Sequence, residues 1–362
     1  MTTQPGTVGD FAIRLTEMFN LGKAAGWDPV GLQLGDRAAP VTRIAVCHEI
    51  TPDITDQLIA IDVDLVVAYH PLLFRPTRTL VAGTGAAGRA FRLIRAGVAV
   101  VTTHTAFDVA PGGTADCLAE AIGLTDTSGF GPAWGPDTAK IVTFAPAGAV
   151  AGITAAMAQA GAGIIGRYAY CSYRSEGEGT FLPAEGAAPV VGSPGVINHE
   201  PETRIEMPVL VSRADRVAAA LVAAHPYEEP AYDVIEARSN AGFIGRVGRL
   251  ERPVAVSELA GRVAERLGGV VRVAGSGIAA TAAVIPGSGG SMLGDVDADV
   301  VVTGDIGHHQ ARDAVARGLA VIDPGHAATE RPGVRSLYAA VAQMAGDVVD
   351  MTDIDADPWK ER

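Results

Sequence analysis

A histidine and a glutamate stand four residues apart in VIDPGHAATE, residues 321–330, directly after a short apolar run. If the segment opens a helix, His326 and Glu330 share one face, because residues four apart are neighbours on a helix surface. Such a pair can bind a metal ion, act as a catalytic acid and base, or simply begin a helix. The positions of the other histidines decide between these interpretations.

Six of the eight histidines lie at, or just beyond, the C-terminal ends of apolar segments that read as strands. They are His48, His70, His104, His308, His309 and His326. Acidic residues follow the same pattern: Asp108 comes four residues after His104, and Glu49 and Asp305 also lie at strand ends. In open α/β sheets, ligands and catalytic groups gather at the carboxyl ends of the strands. The spacing therefore predicts one shared site.

Imidazole and carboxylate ligands without thiolates suit borderline divalent ions such as zinc, iron, manganese or cobalt. Ligands from several strands, with carboxylates able to bridge, suit a two-metal site with ions about 3.5 to 4 Å apart. The predicted metal ligands are His70, Asp108, His326 and Glu330. His48 and His308 are interpreted as structural residues, since one histidine after a strand is more often hydrogen-bonded than a ligand.

Composition excludes several classes of protein. The 362 residues carry a formal net charge of −13, and a surface so acidic disfavours nucleic-acid binding through a basic face. The three cysteines, Cys47, Cys117 and Cys171, are far apart and lack CxxC spacing, so a disulfide framework or thiolate zinc site is not expected. No signal peptide and no apolar run of about 18 residues stand out. We expect a cytoplasmic protein without a membrane segment.

The order of helical and strand patterns predicts an α/β fold with an insertion. Short apolar strands alternate with alanine-rich helices near both ends of the chain, which is typical of parallel sheets covered on both faces. Between them, the pattern predicts an inserted α+β domain of the ferredoxin-like kind. We predict a first α/β half at 1–130, the insertion at 138–238 and a second α/β half at 241–362. SGFGPAWGPDTA and RSNAGFIGRVG are expected to be the linkers.

Five blocks of the chain resemble the Nif-three-like dinuclear metal proteins, often labelled GTP cyclohydrolase 1 type 2 homologues. They are DPVGLQLGD, VVAYHPLLF, THTAFDVAPGGTADCLAEAIGL, TGDIGHHQARDA and PGHAATERPGVRSL, in this order along nearly the whole chain. The middle segments GAGIIGRYAYCSYRSEGEGTF and AHPYEEPAYDVIE are similar to the inserted domain of one subgroup.

The resemblance implies two α/β halves packed around a cleft that binds two metal ions, in subunits that form a toroidal homohexamer. It implies the same four ligands as the spacing does. Tyr69 departs from the family pattern, in which many members have two consecutive histidines before the proline. A phenol is a poor zinc ligand at neutral pH, because it loses its proton near pH 10. Either one ion binds more weakly here, or His104 compensates. Glu49 stands where an aspartate is common.

Two functions are compatible with these residues. The first is a metal-dependent hydrolase acting on a nucleotide, with His104 or His309 as proton carrier, because imidazole titrates near neutral pH. The second is a non-catalytic oligomer that senses a metal, a small ligand or a partner protein. Turnover of nucleotides by the metal-loaded protein would separate the two.

Three further features each keep two interpretations. HPYEEPAYD contains His225, Glu228, Glu229 and Asp233, which form either a second polar site or a turn and edge strand. The glycines of PGSGGSMLG, residues 286–294, serve close backbone packing or a phosphate. Arg331 meets a phosphate or is a surface residue.

Overall fold

The computed structural model describes residues 6–134, 138–237, 242–354 and 357–359. The chain divides into two compact units, one made of Met1–Gly135 and Gly242–Arg362, the other of Pro136–Ala241. Each unit combines sheets with helices, so the predicted α/β class is confirmed. In the described parts of the chain, no helix is both long and apolar enough to cross a membrane.

The elements of the described residues are as follows. The strands are β1 (Gly31–Leu34), β2 (Ile44–Cys47), β3 (Leu65–Ala68), β4 (Ala99–Thr102), β5 (Thr125–Trp134), β6 (Thr138–Ala145), β7 (Tyr173–Phe181), β8 (Asn198–Leu210), β9 (Tyr232–Ala237), β10 (Gly242–Ala255), β11 (Arg272–Ala274), β12 (Ile278–Ser288), β13 (Val300–Gly304), β14 (Ala320–Asp323) and β15 (Val348–Met351). The α-helices are α1 (Val8–Met18), α2 (Pro52–Ala60), α3 (Ala86–Ala96), α4 (His104–Val109), α5 (Thr114–Ile122), α6 (Val150–Gln159), α7 (Ala214–Ala224), α8 (Val256–Leu267), α9 (His308–Ala316) and α10 (His326–Ala345).

The first unit contains two sheets whose central strands are parallel. The five-stranded sheet has the order β1-β4-β3-β2-β15, and the six-stranded sheet has the order β11-β14-β13-β12-β10-β5. The strands β2, β3, β4, β13 and β14 are buried along their whole length. Their mostly apolar sequences suit this position, because helices cover both faces of a parallel sheet.

The two predicted halves exchange strands. The C-terminal strand β15 pairs in parallel with β2 of the first sheet, while β5, from the first half of the chain, pairs with β10 of the second. The expected linkers were therefore wrong in part. Residues 128–134 of the first and 242–248 of the second lie in these paired strands, because Gly129 and Gly245 leave room for Phe243 and Phe130.

One capping device occurs in both sheets. Asp64 precedes β3, and its Oδ2 accepts hydrogen bonds from Thr42 N, Thr42 Oγ1 and Arg43 N at 2.7 to 2.9 Å. Asp299 precedes β13, and its Oδ2 accepts from Ala280 N, Thr281 N and Thr281 Oγ1 at 2.8 to 3.0 Å. The two carboxylates fix the same register at the start of each parallel core.

Helix α10 lies between the cores of the two sheets. Its residues Val334, Leu337 and Val341 belong to the core on the first sheet, whereas Ala328 packs into the core on the second. Glu330 lies in the same buried part of the helix. The side chains of the first turns of α10 are thus positioned by both sheets at once.

The second unit is a four-stranded antiparallel sheet of order β7-β8-β6-β9 with α6 and α7. Its buried core includes Ile141, Ile153, Met157, Ile205 and Leu221. The chain order is β-α-β-β-α-β, which ferredoxin-like domains share. The ferredoxin-like interpretation of the insertion stays a prediction.

Candidate metal centre

Four ring side chains gather where the parallel strands of the first sheet end. His48 directly follows β2, Tyr69 and His70 follow β3, and His104 opens α4 after β4. The ring centroids of His48 and His70 are 5.0 Å apart, and those of His70 and His104 are 5.2 Å apart. Neighbouring parallel strands end at one edge of the sheet, so residues 48, 70 and 104 become neighbours despite their sequence separation.

Three imidazoles converge on one buried carboxylate. Glu330 is 2% exposed. Its Oε2 lies 2.8 Å from His48 Nε2 and 3.1 Å from His70 Nε2, and its Oε1 lies 3.0 Å from His326 Nε2. The second ring nitrogen of His326 lies 2.7 Å from Asp305 Oδ2, which fixes the orientation of that ring. The two oxygens of Glu330 therefore face different histidines.

Asp108 joins this cluster through Tyr69. The Tyr69 hydroxyl donates to Asp108 Oδ1 at 2.5 Å and lies 3.4 Å from Glu330 Oε1. Both side chains are buried, Tyr69 completely. The phenol thus lies between the two carboxylates.

Two glycines leave space for His326 and Glu330. A Cβ at Gly287 would lie 2.8 Å from Glu330 Oε1, and one at Gly304 would lie 2.7 Å from the Cα of His326. Gly287 has a φ of +63° and donates its N–H to Thr329 Oγ1 at 2.8 Å. In PGSGGSMLG, the close-packing interpretation thus has a physical basis at Gly287.

Burial and neighbouring charges shift the pKa values of the cluster in opposite directions. Burial alone would raise the pKa of Glu330, but the charge of His70 and hydrogen bonds from His326, His48 and His70 hold it well below its usual range. Burial would lower the pKa of His326, whereas Glu330 and Asp305 raise it to about 9. For Asp108, burial raises the pKa to about 6 against the opposing effects of His104 and Tyr69.

His104 is held by a carboxylate on its other side. Its Nδ1 lies 2.9 Å from Asp28 Oδ1, and Thr105 donates to Asp28 through its N–H at 3.1 Å and through its hydroxyl. Burial would lower the pKa of His104, but the hydrogen bond and charge of Asp28 raise it. The backbone of His104 has a φ of +33°. This conformation is uncommon for a non-glycine residue, and such strained residues cluster at functional sites.

The donors of this cluster fit a divalent cation. Ligand atoms of His48, His70 and Glu330 all lie within 4.8 Å of one another. Ligands at about 2.1 Å from an ion are about 3 to 3.5 Å apart in octahedral or tetrahedral coordination. The separations of 2.8 and 3.1 Å from Glu330 to the two histidines are close to that spacing. Buried imidazole and carboxylate without thiolate match borderline divalent ions.

The cluster opens into a cavity of about 580 Å³. The lining residues are Trp27, Glu49, His70, Pro71, Phe74, His104, Thr105, Asp108, Ile244, Pro286, Gly287, Ser288, Ser291, Met292, His326 and Glu330. A cavity of this size accommodates a small molecule. It therefore gives a ligand access to the side chains that would hold an ion.

The structure brings His70, Asp108, His326 and Glu330 to one cavity, together with His104. It does not bring His309 there. That residue is exposed in the first turn of α9, with its ring beside His308, and Asp305 is the residue of this loop that reaches the cluster. Arg331 lines a separate cavity of about 240 Å³.

Sequence reasoning missed two residues. His48 was expected to be structural, yet among the described residues it forms a group with His70 and Glu330 whose possible ligand atoms all lie within 4.8 Å of one another. Its position at a strand end, shared with His70, was the available signal. Asp28, which orients His104, lies in the loop GWDPVG, and only the block resemblance that begins at this residue pointed to it.

In the HPYEEPAYD segment of the second unit, the contacts of His225 agree with a turn and not with a second polar site. His225 Nε2 donates to Phe144 O at 2.9 Å, and its Nδ1 accepts from Tyr227 N at 3.1 Å. Both ring nitrogens are therefore used by the backbone. Glu228 accepts from Ala188 N at 3.2 Å, and Asp233 lies exposed in β9.

Comparison with known proteins agrees with this architecture. The family model described as Duf34/NIF3 (NGG1p interacting factor 3) matches residues 7–358. Proteins named GTP cyclohydrolase 1 type 2 homolog are similar: that of Bacillus subtilis is 35% identical over 327 residues, 88% of each chain, and that of Mycobacterium tuberculosis is 36% identical over 351 residues, 93% of this chain and 92% of the relative. A crystal structure of a Bacillus cereus protein related to NIF3 superimposes with a TM-score of 0.76 at 31% identity, with complete coverage of both chains.

Proposed function

Because the chain belongs to the Duf34/NIF3 (NGG1p interacting factor 3) family, we propose that it is a metal-dependent hydrolase that acts on a nucleotide. The proposal includes two divalent ions, of zinc, iron, manganese or cobalt, and a toroidal homohexamer. One observation carries it: buried Glu330 receives three imidazoles on its two oxygens, at the wall of a cavity of about 580 Å³. The name of the relatives, GTP cyclohydrolase 1 type 2 homolog, supports a nucleotide as substrate.

The two oxygens of Glu330 suggest which residues would hold each ion. His48 and His70 lie against Oε2 and form the first donor set. His326 lies against Oε1, and Asp108 reaches this side through Tyr69, which gives a second set. Glu330 would belong to both. Bound divalent ions supply a water activated for attack near neutral pH and offset the charge that develops on the substrate.

His104 is the residue best placed to carry a proton. Asp28 engages Nδ1 and thereby leaves Nε2 as the nitrogen for proton transfer in the cavity. In hydrolysis the attacking water loses one proton and the leaving group gains one, so a single imidazole can take the first and deliver the second. The raised pKa of His104 makes its imidazole a stronger base, which favours taking the first proton.

A sensing or regulatory function is the second candidate, and Tyr69 favours it. The phenol occupies Asp108 Oδ1, so the second donor set is partly used by the protein itself. A centre that binds one ion firmly, with its ligands already satisfied, suits a structural or sensory role better than a two-ion reaction.

Turnover decides between the two candidates. The metal-loaded protein at micromolar concentration is incubated with a panel of nucleoside triphosphates, and product is measured by chromatography. The hydrolase is expected to release product, and Asp108→Asn should abolish the release. His309→Ala removes an exposed imidazole outside the cavity and should retain it. No product from any nucleotide, with wild-type metal content, would contradict the hydrolase and favour the sensor.

A further inference from the structure

Two large aromatic side chains are exposed in the wall of the cavity that adjoins Glu330 and its histidines. Trp27 is 60% exposed and Phe74 is 49% exposed, and both line the cavity. Their ring centroids are 5.9 Å apart at an interplanar angle of 70°. Apolar side chains grouped in a cavity mark ligand-binding sites more often than scattered ones do.

Gln33 connects the two loops that carry these rings. Its Nε2 donates to Pro29 O at 2.9 Å and to Leu73 O at 3.2 Å, and its Oε1 accepts from Leu73 N at 3.1 Å. One amide therefore ties the loop that carries Trp27 to the loop that carries Phe74. The Trp27 loop is fixed a second time, through Asp28 and its bonds to residues 104 and 105. The backbone on which the exposed rings stand is thus fixed by hydrogen bonds on both loops.

The pair lies directly beside the proposed proton carrier. The ring of His104 is 6.3 Å from that of Trp27 and 6.4 Å from that of Phe74. The same imidazole is 5.2 Å from His70 of the donor cluster. A planar ring bound against Trp27 and Phe74 would therefore adjoin the cluster itself, and no long spacer would separate the two.

The charges of the cavity disfavour recognition of a phosphate chain by side chains. Among the described lining residues there is no lysine or arginine, while Glu49, Asp108 and Glu330 contribute carboxylates. The imidazole of His326 is engaged by Glu330 and Asp305. A triphosphate would meet no guanidinium or ammonium group, the side chains that usually bind phosphate.

We propose that Trp27 and Phe74 form a stacking site that selects a planar heterocyclic ring, such as a purine base or nucleoside, irrespective of its phosphates. Every base offers a π-face, and an aromatic side chain binds it without a charged partner. The inference deepens the proposed function by naming the part of the substrate that faces the donor cluster: the ring and not the phosphate chain. It depends on the hydrolase proposal only for the reaction that follows binding.

Calorimetric binding of guanosine and GTP tests the stacking site. Trp27→Leu is expected to weaken both ligands by about 5- to 150-fold, the effect of losing one base–aromatic stack, and Phe74→Leu should act in the same direction. Trp27→Phe should retain most of the affinity. Tyr168→Leu, which removes a ring that is 75% exposed in the second unit, is the matched control. Metal content should equal that of the wild type in all four variants, which separates ring binding from damage to the donor cluster.

A second comparison tests the indifference to phosphate. In protein stripped of metal by a chelator, where only side chains and backbone can bind the chain of phosphates, guanosine and GTP should bind within about threefold of each other. GTP binding more than thirtyfold tighter than guanosine would overturn the inference, as would wild-type guanosine affinity in Trp27→Leu. Ring binding without turnover would refute the hydrolase and leave the stacking site intact. Metal-dependent turnover, with a guanosine affinity unaffected by Trp27→Leu, would support the hydrolase and refute the stacking site.

Discussion

The Tyr69 hydroxyl donates a 2.5 Å hydrogen bond to Asp108 Oδ1 inside the buried donor cluster. Burial, together with the charges of Asp108 and Glu330, raises the pKa of Tyr69 well above its usual value. The phenol therefore stays protonated at neutral pH and acts as a hydrogen-bond donor. This one contact makes the side of Glu330 that faces Asp108 the weaker part of the proposed centre.

Tyr69→His should strengthen binding of a second ion. Neutral imidazole is a good ligand at pH 7, whereas the protonated phenol is not. Tyr69→Phe is the control, because it removes the hydroxyl from Asp108 without adding a ligand. Isothermal titration with zinc or manganese should show a higher affinity for the second equivalent in Tyr69→His than in either the wild type or Tyr69→Phe. Equal second-site affinity in the wild type and Tyr69→His would contradict the assignment.

His48→Ala should weaken the first ion. This histidine is buried, and its Nε2 lies 2.8 Å from Glu330 Oε2, so its loss removes one of the two imidazoles on that oxygen. We expect affinity to fall by about tenfold or more, comparable with the loss of groups that support a metal ligand. His308→Ala, on the exposed start of α9, should leave affinity unchanged. Metal content after dialysis measures both effects. An unchanged metal content in His48→Ala would mean that His48 has a structural role.

Gly287→Ala should disturb the centre by contact. Its Cβ would lie 2.8 Å from Glu330 Oε1, and its φ of +63° is strained for alanine. Gly318→Ala is a matched control, since Gly318 has a φ of +87° and open space around the added Cβ. Both should lose about 1 kcal/mol or slightly more of unfolding free energy from backbone strain. Only Gly287→Ala should also lose metal. An equal metal content in the two variants would contradict this prediction, because it would show that the contact between the added Cβ and Glu330 does not disturb metal binding.

The loss of stability at acid pH should depend in part on protonation of Asp64 and Asp299. Burial alone would raise the pKa of each carboxyl, but hydrogen bonds from residues 42 and 43, or from 280 and 281, lower it below the ordinary value of 3.8. The unfolded chain then binds more protons in this range, so the stabilisation is present above pH 3.8 and is lost as pH falls through the folded-state pKa.

Asp64→Asn and Asp299→Asn should each cost about 1 kcal/mol at pH 7, after allowance for partial exposure. The two sites lie in different sheets, so the double variant should lose the sum. Urea unfolding at pH 7 and pH 3 measures the effect, and the difference from wild type should shrink at pH 3. An undiminished difference at pH 3 would mean that the carboxylate charge is not what stabilises these loops.

Much of this architecture was predictable from local patterns. Apolar four-residue segments such as LVVA favour a buried parallel strand between helices. His48, His70 and His104 each follow such a strand of one sheet, so they meet at its edge. The spacing of His326 and Glu330 predicted their common helix face, and the structure has both in α10 with a 3.0 Å contact.

The remainder depended on contacts between distant parts of the chain. Strand β5 was interpreted as a linker because its glycines and proline disfavour a strand locally, and only its pairing with β10 compensates. His48 meets Glu330 across 282 residues, and no pattern near either residue contains that information. His309 has the same local sequence signal as His70, yet it lies exposed on α9.

The most direct measurement is the metal content of Glu330→Gln after equilibration with zinc or manganese and dialysis. The substitution preserves size and removes the charge that faces both donor sets, and Glu228→Gln in the second unit is the control. The proposed centre predicts that Glu330→Gln loses every bound ion while its circular dichroism spectrum stays that of the folded wild type. Glu228→Gln should keep its full metal content. Full metal content in Glu330→Gln would contradict the metal centre.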